Sequence, residues 1–299
     1  MSRILSKEWY LLETGARSGK ENMDIDCHLV HLLRTFWNRA FFPTLRFYTW
    51  SPWAISLGYH QRSEEIDDER CVSEGIDIVR RPTGGRAVLH AEELTYSVVM
   101  VTHSAFGGLD IYTAIGRALV RGLRLLGVNA ELVAEPVPSK TGQTDSQTLH
   151  WHRSSVACFA SSARSEIQVA GKKLVGSAQR RFSMPDGSMA YVVLQHGSIL
   201  IGKAHRRLPE FVRGDDRVRK YLQEELATKS TELETLLRRR LTIEEVSAAV
   251  RQGFEEELGI VFRTPPDGLF PFLAESQSAQ RGADQRPYPY EWVTDGSAC

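Results

Sequence analysis

Residues 80–90 of this 299-residue chain read RRPTGGRAVLH and lie between two short apolar runs. The run at 76–79 before them and the run at 94–101 after them are rich in the residue types that favour strands. Gly84 and Gly85 stand together between the runs, and adjacent glycines let a backbone take positive φ and let a ligand approach it closely. The stretch therefore predicts a strand, a tight polar loop and a second strand, so the fold must contain a sheet.

The same loop has the composition of a binding site for a negative group. Its exposed amides can face an anion or a carbonyl oxygen, and the guanidiniums of Arg80, Arg81 and Arg86 would hold charged groups. No Gly-Lys-Ser/Thr ends the loop, so it is not a Walker loop, and the third glycine of a dinucleotide fingerprint is missing. On these residues alone, a polar hairpin turn with solvated arginines remains open as an alternative.

The order of elements along the chain indicates the fold class. Strands are predicted at 9–13, 45–50, 54–57, 129–134, 165–169, 173–181 and 190–201, and helices after Lys20, over 66–75 and over 111–126. Hairpin turns at 170–172 and 185–188 indicate antiparallel pairing. The class is therefore α+β with a mixed or antiparallel sheet flanked by helices. Residues 135–155 predict a long mobile loop, and loops of that length are often lids or binding loops.

The C-terminal third differs in character. It is helical and highly charged from about 203 to 262, with a capping box at Thr242 and Glu245. Residues 263–299 are rich in Ser, Gln, Gly and Pro and predict a poorly ordered tail. We expect one catalytic domain over 1–262 that includes this helical part, followed by the tail.

Composition excludes several classes of protein. Lys plus Arg equals Asp plus Glu at 37 each, so there is no overall basic charge to suggest nucleic-acid binding. The N-terminus has no apolar segment typical of a signal peptide, and no run reaches about 18 apolar residues, so we expect neither secretion nor a membrane span. The four cysteines form no CxxC pair, which argues against a zinc site or a disulfide framework and favours the cytoplasm.

Two side chains could carry nucleophilic chemistry. Cys158 follows the long polar loop, where a thiol can face a cleft, and a nearby ammonium such as that of Lys173 would lower the pKa of the thiol. The ordinary alternatives are a small buried cysteine and a solvated lysine. Cys27 and Cys71, on helices, are interpreted as buried hydrophobes. His196 is interpreted as structural, and His90 is open between a base and a structural role.

Three segments in this order resemble a known superfamily. They are 80–90, 173–179 (KLVGSAQ) and 196–200 (HGSIL), and the early pair of strands at 50–58 (WSPWAISLG) agrees with them. They are similar to the lipoate–protein ligases and octanoyltransferases, over roughly residues 9–262. The resemblance implies the α+β fold shared with biotin ligases, and a cytoplasmic enzyme that delivers a lipoyl-type acyl chain to a lysine of a carrier domain. Biotin ligation is disfavoured, because the Gly-Arg-Gly-Arg loop is absent.

Within the superfamily, the chain is most similar to the cysteine-dependent octanoyltransferases. The ATP-using ligases typically have a third glycine in place of Arg86, and an Arg-Asn-Asp run near residues 164–166. The resemblance implies that Cys158 and Lys173 are catalytic. The residues it implies for substrate binding are Arg80, Arg81, Gly84, Gly85, Arg86, His90, Gly176, Ser177 and Ala178. One departure is Ala91, where relatives often carry an acidic residue, so Glu92 or Glu93 would have to supply that carboxylate.

The resemblance also implies a reaction and its partners. Octanoyl-acyl carrier protein would be the donor, with lipoyl domains of the glycine cleavage H protein or of 2-oxoacid dehydrogenase E2 subunits as acceptors. No cofactor, metal, nucleic acid or membrane would be needed. Three alternatives remain open: an ATP- and Mg-dependent lipoate–protein ligase, an amidotransferase between lipoyl domains, and a lipoyl-binding protein without turnover.

Overall fold

The structure, a computed structural model, describes residues 6–36, 42–103, 108–134, 165–266 and 268–270. The strands are β1 (Glu8–Arg17), β2 (Thr44–Trp50), β3 (Ala54–Leu57), β4 (Asp77–Arg80), β5 (Val88–His90), β6 (Glu93–His103), β7 (Glu131–Ala134), β8 (Ser165–Val169), β9 (Lys172–Ser183), β10 (Ala190–Leu200) and β11 (Val261–Arg263). The α-helices are α1 (Gly19–Phe36), α2 (Asp68–Ser73), α3 (Gly108–Leu125), α4 (Asp216–Lys229), α5 (Leu233–Leu237) and α6 (Ile243–Leu258), and the 3-10 helices are η1 (Ser63–Glu65) and η2 (Ala204–Phe211).

Eight strands form one mixed sheet in the order β11-β1-β2-β6-β10-β9-β8-β7. The pairs β11/β1 and β1/β2 are parallel, and all the other pairs in this sheet are antiparallel. A second sheet has the order β4-β3-β5, with β3 parallel to β4 and antiparallel to β5. Helices flank the sheets, so the predicted α+β class is confirmed.

The core lies on both sides of the large sheet. One apolar cluster joins the sheet to α3 and α6, and another joins it to α1. Helices α3 and α6 cross closely because Gly122 faces Gly253: a Cβ on Gly253 would lie 2.3 Å from the amide nitrogen of Gly122. A third cluster packs the small sheet against η2 and α4. The small sheet is thus held over one part of the large sheet, and the loop from Arg81 to Ala87 lies there.

Several local predictions agree with the structure and two do not. The capping box of α6 is present, with Thr242 and Glu245 each hydrogen-bonded to the backbone of the other. Helix α2 is shorter than the predicted span of 66–75. Cys71 is buried, as expected, and burial raises the pKa of its thiol to about 11. Cys27, expected to be a buried hydrophobe, is only half-buried and forms a disulfide, which the sequence pattern did not indicate.

Two predictions concern parts of the chain beyond the described residues. The long loop at 135–155 lies outside them, as does most of the tail. Within the described part of the tail, Phe270 is buried and its ring lies 5.9 Å from that of Tyr10. The domain boundary at 262 stays a prediction. Among the described residues, we find no helix with the length and apolar character required to traverse a bilayer.

Candidate active site

A cavity of about 260 Å³ lies where the small sheet meets the large one. The register of the large sheet explains which residues meet there, because Ser198 of β10 pairs with Gly176 of β9 on one side and with Thr95 of β6 on the other. The lining includes nine residues that the sequence predicts for the site, namely Arg81, Gly84, Gly85, Arg86, His90, Lys173, Gly176, Ser177 and Ala178, together with His196, Gly197 and Ser198 of the third segment. The three sequence segments therefore converge on one cavity.

Two arginines donate hydrogen bonds to backbone carbonyls in and around the glycine loop. The guanidinium of Arg81 donates to the carbonyl oxygens of Gly84 and Arg86, at 2.9 and 2.8 Å, and to the carbonyl of Ser56 at 2.9 Å. Arg80 lies outside the cavity lining and donates to the carbonyls of residues 58, 59 and 61. These two guanidiniums thus bind the protein's own backbone, whereas the sequence suggested that they would hold charged groups.

Arg81 binds carbonyls of the loop, and two N–H groups of the loop can still donate to a ligand. Gly84 and Gly85 are exposed and line the cavity, and their N–H groups have no hydrogen-bond acceptor among the described residues. Gly85 has a φ of 101°, which favours glycine. Gly58 packs against this turn, since a Cβ there would lie 2.0 Å from the carbonyl oxygen of Gly85. The loop can therefore present two adjacent amides to an oxygen that carries negative charge.

Lys173 is buried rather than solvated. Its Nζ donates to Oε1 of Glu166 at 2.6 Å, and the two side chains are only 4% and 5% exposed. Strand β8 brings Glu166 here because Gln168 and Lys173 are paired across the β8–β9 hairpin. The backbone of Lys173 is fixed from the other side, where its carbonyl accepts from the amide of Thr231 at 3.0 Å. A buried ion pair thus lies on the wall of the cavity.

His90 belongs to a buried polar network around one carboxylate. Oε1 of Glu93 accepts hydrogen bonds at 2.7 Å from Nδ1 of His90 and from the hydroxyls of Thr95 and Ser198. Burial alone would raise the pKa of Glu93, but His90 and the hydroxyls of Ser198 and Thr95 together outweigh it, and the pKa lies below its ordinary value. Trp50 stacks on the imidazole with 4.1 Å between ring centroids. Glu93, and not residue 91, is therefore the carboxylate that contacts His90.

His196 lines the cavity and connects it to a second buried carboxylate. Its Nδ1 lies 3.1 Å from Oδ2 of Asp26 and its Nε2 lies 2.6 Å from the hydroxyl of Thr83. Burial lowers the pKa of His196, and Asp26 opposes this only in part, so the ring is neutral near pH 7. Asp26 is fully buried, which raises its carboxyl pKa, but Arg46, His196 and Ser97 together hold that pKa below its usual value. The interpretation of His196 as structural agrees with these contacts.

Cys158, the predicted nucleophile, lies outside the described residues. Three residues that line or support the cavity were not predicted from the sequence: Asp26, Tyr48 and Thr95. For Asp26 there was a signal: it stands among Met23, Ile25 and Leu29 on the buried face of α1, where a carboxylate needs a partner. The others read only as ordinary strand residues.

Comparison with known proteins agrees with this geometry. The model of the lipoyl protein ligase A/B catalytic domain matches residues 19–255. The octanoyltransferase LipM of Kyrpidia tusciae is 40% identical over 84% of this chain and 87% of its own length, and that of Bacillus subtilis is 35% identical over the same shares. A bipartite lipoate protein ligase from Thermoplasma acidophilum has the same fold, with a TM-score of 0.66 at 22% identity over 92% of this chain and 93% of its own.

The fold and the cavity thus define an enzyme of the lipoyl-transfer class. The chain belongs to the lipoyl protein ligase A/B catalytic domain family. Within that family it belongs with the octanoyltransferases, and it is an acyltransferase.

Proposed function

We propose that this enzyme transfers octanoyl from octanoyl-acyl carrier protein to the lysine of a lipoyl domain in lipoate biosynthesis, through a thioester on Cys158. The relatives that are named octanoyltransferases support the acyl group, because they match over most of the chain. The proposal also specifies the donor, the covalent intermediate and the acceptor. These parts rest on the chemistry of the cavity.

The observation that carries the proposal is the buried ammonium of Lys173 on the cavity wall. Cys158 precedes Glu166, the partner of that ammonium, by eight residues. A chain of eight residues can span up to roughly 28 Å, so the covalent connection allows the thiol to reach the cavity. A fixed ammonium beside a thiol favours the thiolate, which is the form that attacks a thioester.

The glycine loop supplies the second requirement of acyl transfer. Attack on a thioester carbonyl develops negative charge on its oxygen, and amides fixed beforehand in a shielded site stabilise that charge. The N–H groups of Gly84 and Gly85 are suited to this, since Arg81 already binds the neighbouring carbonyls. The apolar acyl chain can then lie against Val88, Trp50 and Met23, which line the same cavity.

The proposed reaction consists of two transfers of the octanoyl group, and each proton that is released has an acceptor. The Cys158 thiolate attacks the donor carbonyl, the new C–S bond forms, the bond to the carrier breaks, and the departing thiolate takes a proton from the Lys173 ammonium. The acceptor amine then attacks the enzyme thioester, the bond to Cys158 breaks, and neutral Lys173 takes the amine proton. Both side chains return to their first states, so neither ATP nor a metal ion is consumed.

The proposal extends to partners and location. The acceptors are lipoyl domains of the glycine cleavage H protein or of 2-oxoacid dehydrogenase E2 subunits, and the enzyme works in the cytoplasm. Arg86, on the cavity lining, replaces a glycine typical of the ATP-using ligases, which favours transfer over adenylation. An amidotransferase would use the same intermediate and would differ only in the donor.

Intact mass spectrometry tests the intermediate. The enzyme is mixed with octanoyl-acyl carrier protein without ATP, as wild type and as Cys158→Ala, with Cys71→Ala as the control because Cys71 is a buried free thiol outside the cavity lining. We expect one hydroxylamine-labile octanoyl adduct on the wild type and the control, and none on Cys158→Ala. Transfer that requires ATP and free acid, with no adduct, would instead indicate a ligase. An adduct from an octanoylated lipoyl domain but not from carrier protein would indicate an amidotransferase.

A further inference from the structure

The proposed reaction gives no role to the buried carboxylate that contacts Lys173. Glu166 is 5% exposed, and its Oε1 lies 2.6 Å from Nζ of Lys173. An ion pair fixed this deeply is seldom needed for stability, because the cost of removing two charges from water offsets much of their attraction. The position next to a reacting lysine favours a role in the reaction.

We propose that Glu166 is a positioning residue for acyl transfer, which keeps Lys173 protonated and oriented until the carrier thiolate departs. This inference rests on the function proposed above. Glu166 itself stays ionised throughout: Lys173 gives its proton to the leaving thiolate and later takes one from the acceptor amine. The carboxylate of Glu166 therefore favours the ammonium form of Lys173 in the resting enzyme.

The geometry around Lys173 supports this assignment. The amide of Thr231 fixes its backbone at 3.0 Å, and Ser230 is paired with it as an isolated parallel bridge. The side chain is therefore held at both ends, by the C-terminal segment at the carbonyl and by Glu166 at the ammonium. A lysine restrained in this way loses little side-chain entropy when the reacting groups meet.

The other charged or titratable groups near this pair are few among the described residues. On the cavity lining they are Arg81, Arg86, Tyr48, His90 and His196. In the segment that fixes the Lys173 backbone, Glu232 is compensated by Arg206 at 2.6 Å, and Nε2 of the buried His205 lies 2.9 Å from the hydroxyl of Ser230. Two of the five lining groups are cations, and none of the five is a carboxylate. Glu166 is therefore the carboxylate that balances the ammonium of Lys173 directly.

The test is the pH dependence of acyl-enzyme formation in a single turnover, followed by intact mass with octanoyl-acyl carrier protein. Wild type should show an alkaline limb, that is, a fall in acylation at high pH. Glu166→Gln keeps the shape of the side chain but removes the charge, so that limb should move to lower pH by about 1 unit or more. Glu257→Gln, at an exposed glutamate near the end of helix α6 and outside the cavity lining, makes the same charge change away from the ion pair and should leave the limb in place.

A second variant keeps the proposal testable if Glu166→Gln fails to fold. Lys173→Arg preserves the ion pair but carries a group that does not give up its proton, so acylation should slow sharply at every pH and release of octanoyl to the acceptor should stop. A limb that stays at the wild-type pH in Glu166→Gln, or acylation at the wild-type rate in Lys173→Arg, would overturn the role of the pair. Absence of any adduct on wild-type Cys158 would instead overturn the proposed function, so the two failures are distinguishable.

Discussion

The close contact between Gly58 and the glycine loop allows a sharp test of how the loop works. Replacing Gly58 by alanine adds one methyl group, which would lie 2.0 Å from the carbonyl oxygen of Gly85 and 2.8 Å from its carbonyl carbon. Both atoms belong to the backbone, so no flexible side chain can move aside. The loop itself must move.

The size of the movement follows from the contact distance. Contacts of a real Cβ stay above 3.0 Å, so the Gly85 carbonyl must retreat by about 1 Å. A displacement of about 1 Å in groups that face the reacting atoms costs roughly 100-fold in rate. Overpacking of this kind typically costs about 1–3 kcal/mol of stability. We therefore expect a folded Gly58→Ala enzyme whose kcat for octanoyl transfer falls about 100-fold.

A matched control separates the two effects. Gly253→Ala creates a similar clash, 2.3 Å from the amide nitrogen of Gly122, at the crossing of α3 and α6 and away from the cavity lining. It should lower the melting temperature while the folded enzyme keeps its transfer rate. Initial rates below the melting transition, together with thermal unfolding, measure both quantities. If Gly58→Ala transfers octanoyl at the rate of wild type, the loop does not contribute as described.

Two further predictions concern the buried charges. Arg46→Met leaves the carboxylate of Asp26 without its guanidinium and should lower the free energy of unfolding by about 3–5 kcal/mol. The double variant Arg46→Met with Asp26→Asn should recover part of this loss. Denaturation curves in which the double variant recovers none of it would contradict the explanation. Burial lowers the pKa of His205 from 6.5 to about 4, so the folded state binds fewer protons than the unfolded state between these values. The stability present above pH 6.5 should therefore fall by up to about 3 kcal/mol towards pH 4, and His205→Gln should flatten that part of the profile of unfolding free energy against pH.

Much of the framework could be predicted from local sequence signals. The strands Ala54–Leu57 and Ser165–Val169 have the predicted bounds because a proline or glycine turn stands next to each. The capping box that begins α6 is also a local pattern, complete within four residues. Such features depend on neighbours along the chain, which the sequence displays directly.

The chemistry of individual side chains was harder to predict, because their partners are distant in sequence. Arginines beside two glycines suggest an anion site, but the buried carbonyls of a tight loop also require donors, and Arg81 meets that requirement. The hairpin position of Lys173 suggests a surface residue. In the structure the amide of Thr231, from the C-terminal part, binds the backbone carbonyl of Lys173. The sequence left the carboxylate near His90 open between Glu92 and Glu93, and the structure selects Glu93, to which Ser198 of another strand donates.

Kinetic competence of the acyl-enzyme tests the central claim most directly. Octanoyl-enzyme is isolated, freed of donor and ATP, and mixed with a lipoyl domain in a rapid-quench experiment. We predict that octanoyl moves from Cys158 to the acceptor lysine at a rate at least equal to the steady-state kcat, and that a lipoyl domain with its acceptor lysine changed to arginine leaves the adduct intact. An adduct that persists for many turnovers while acylated acceptor accumulates from free donor would show that the thioester is not an intermediate, and would contradict the account.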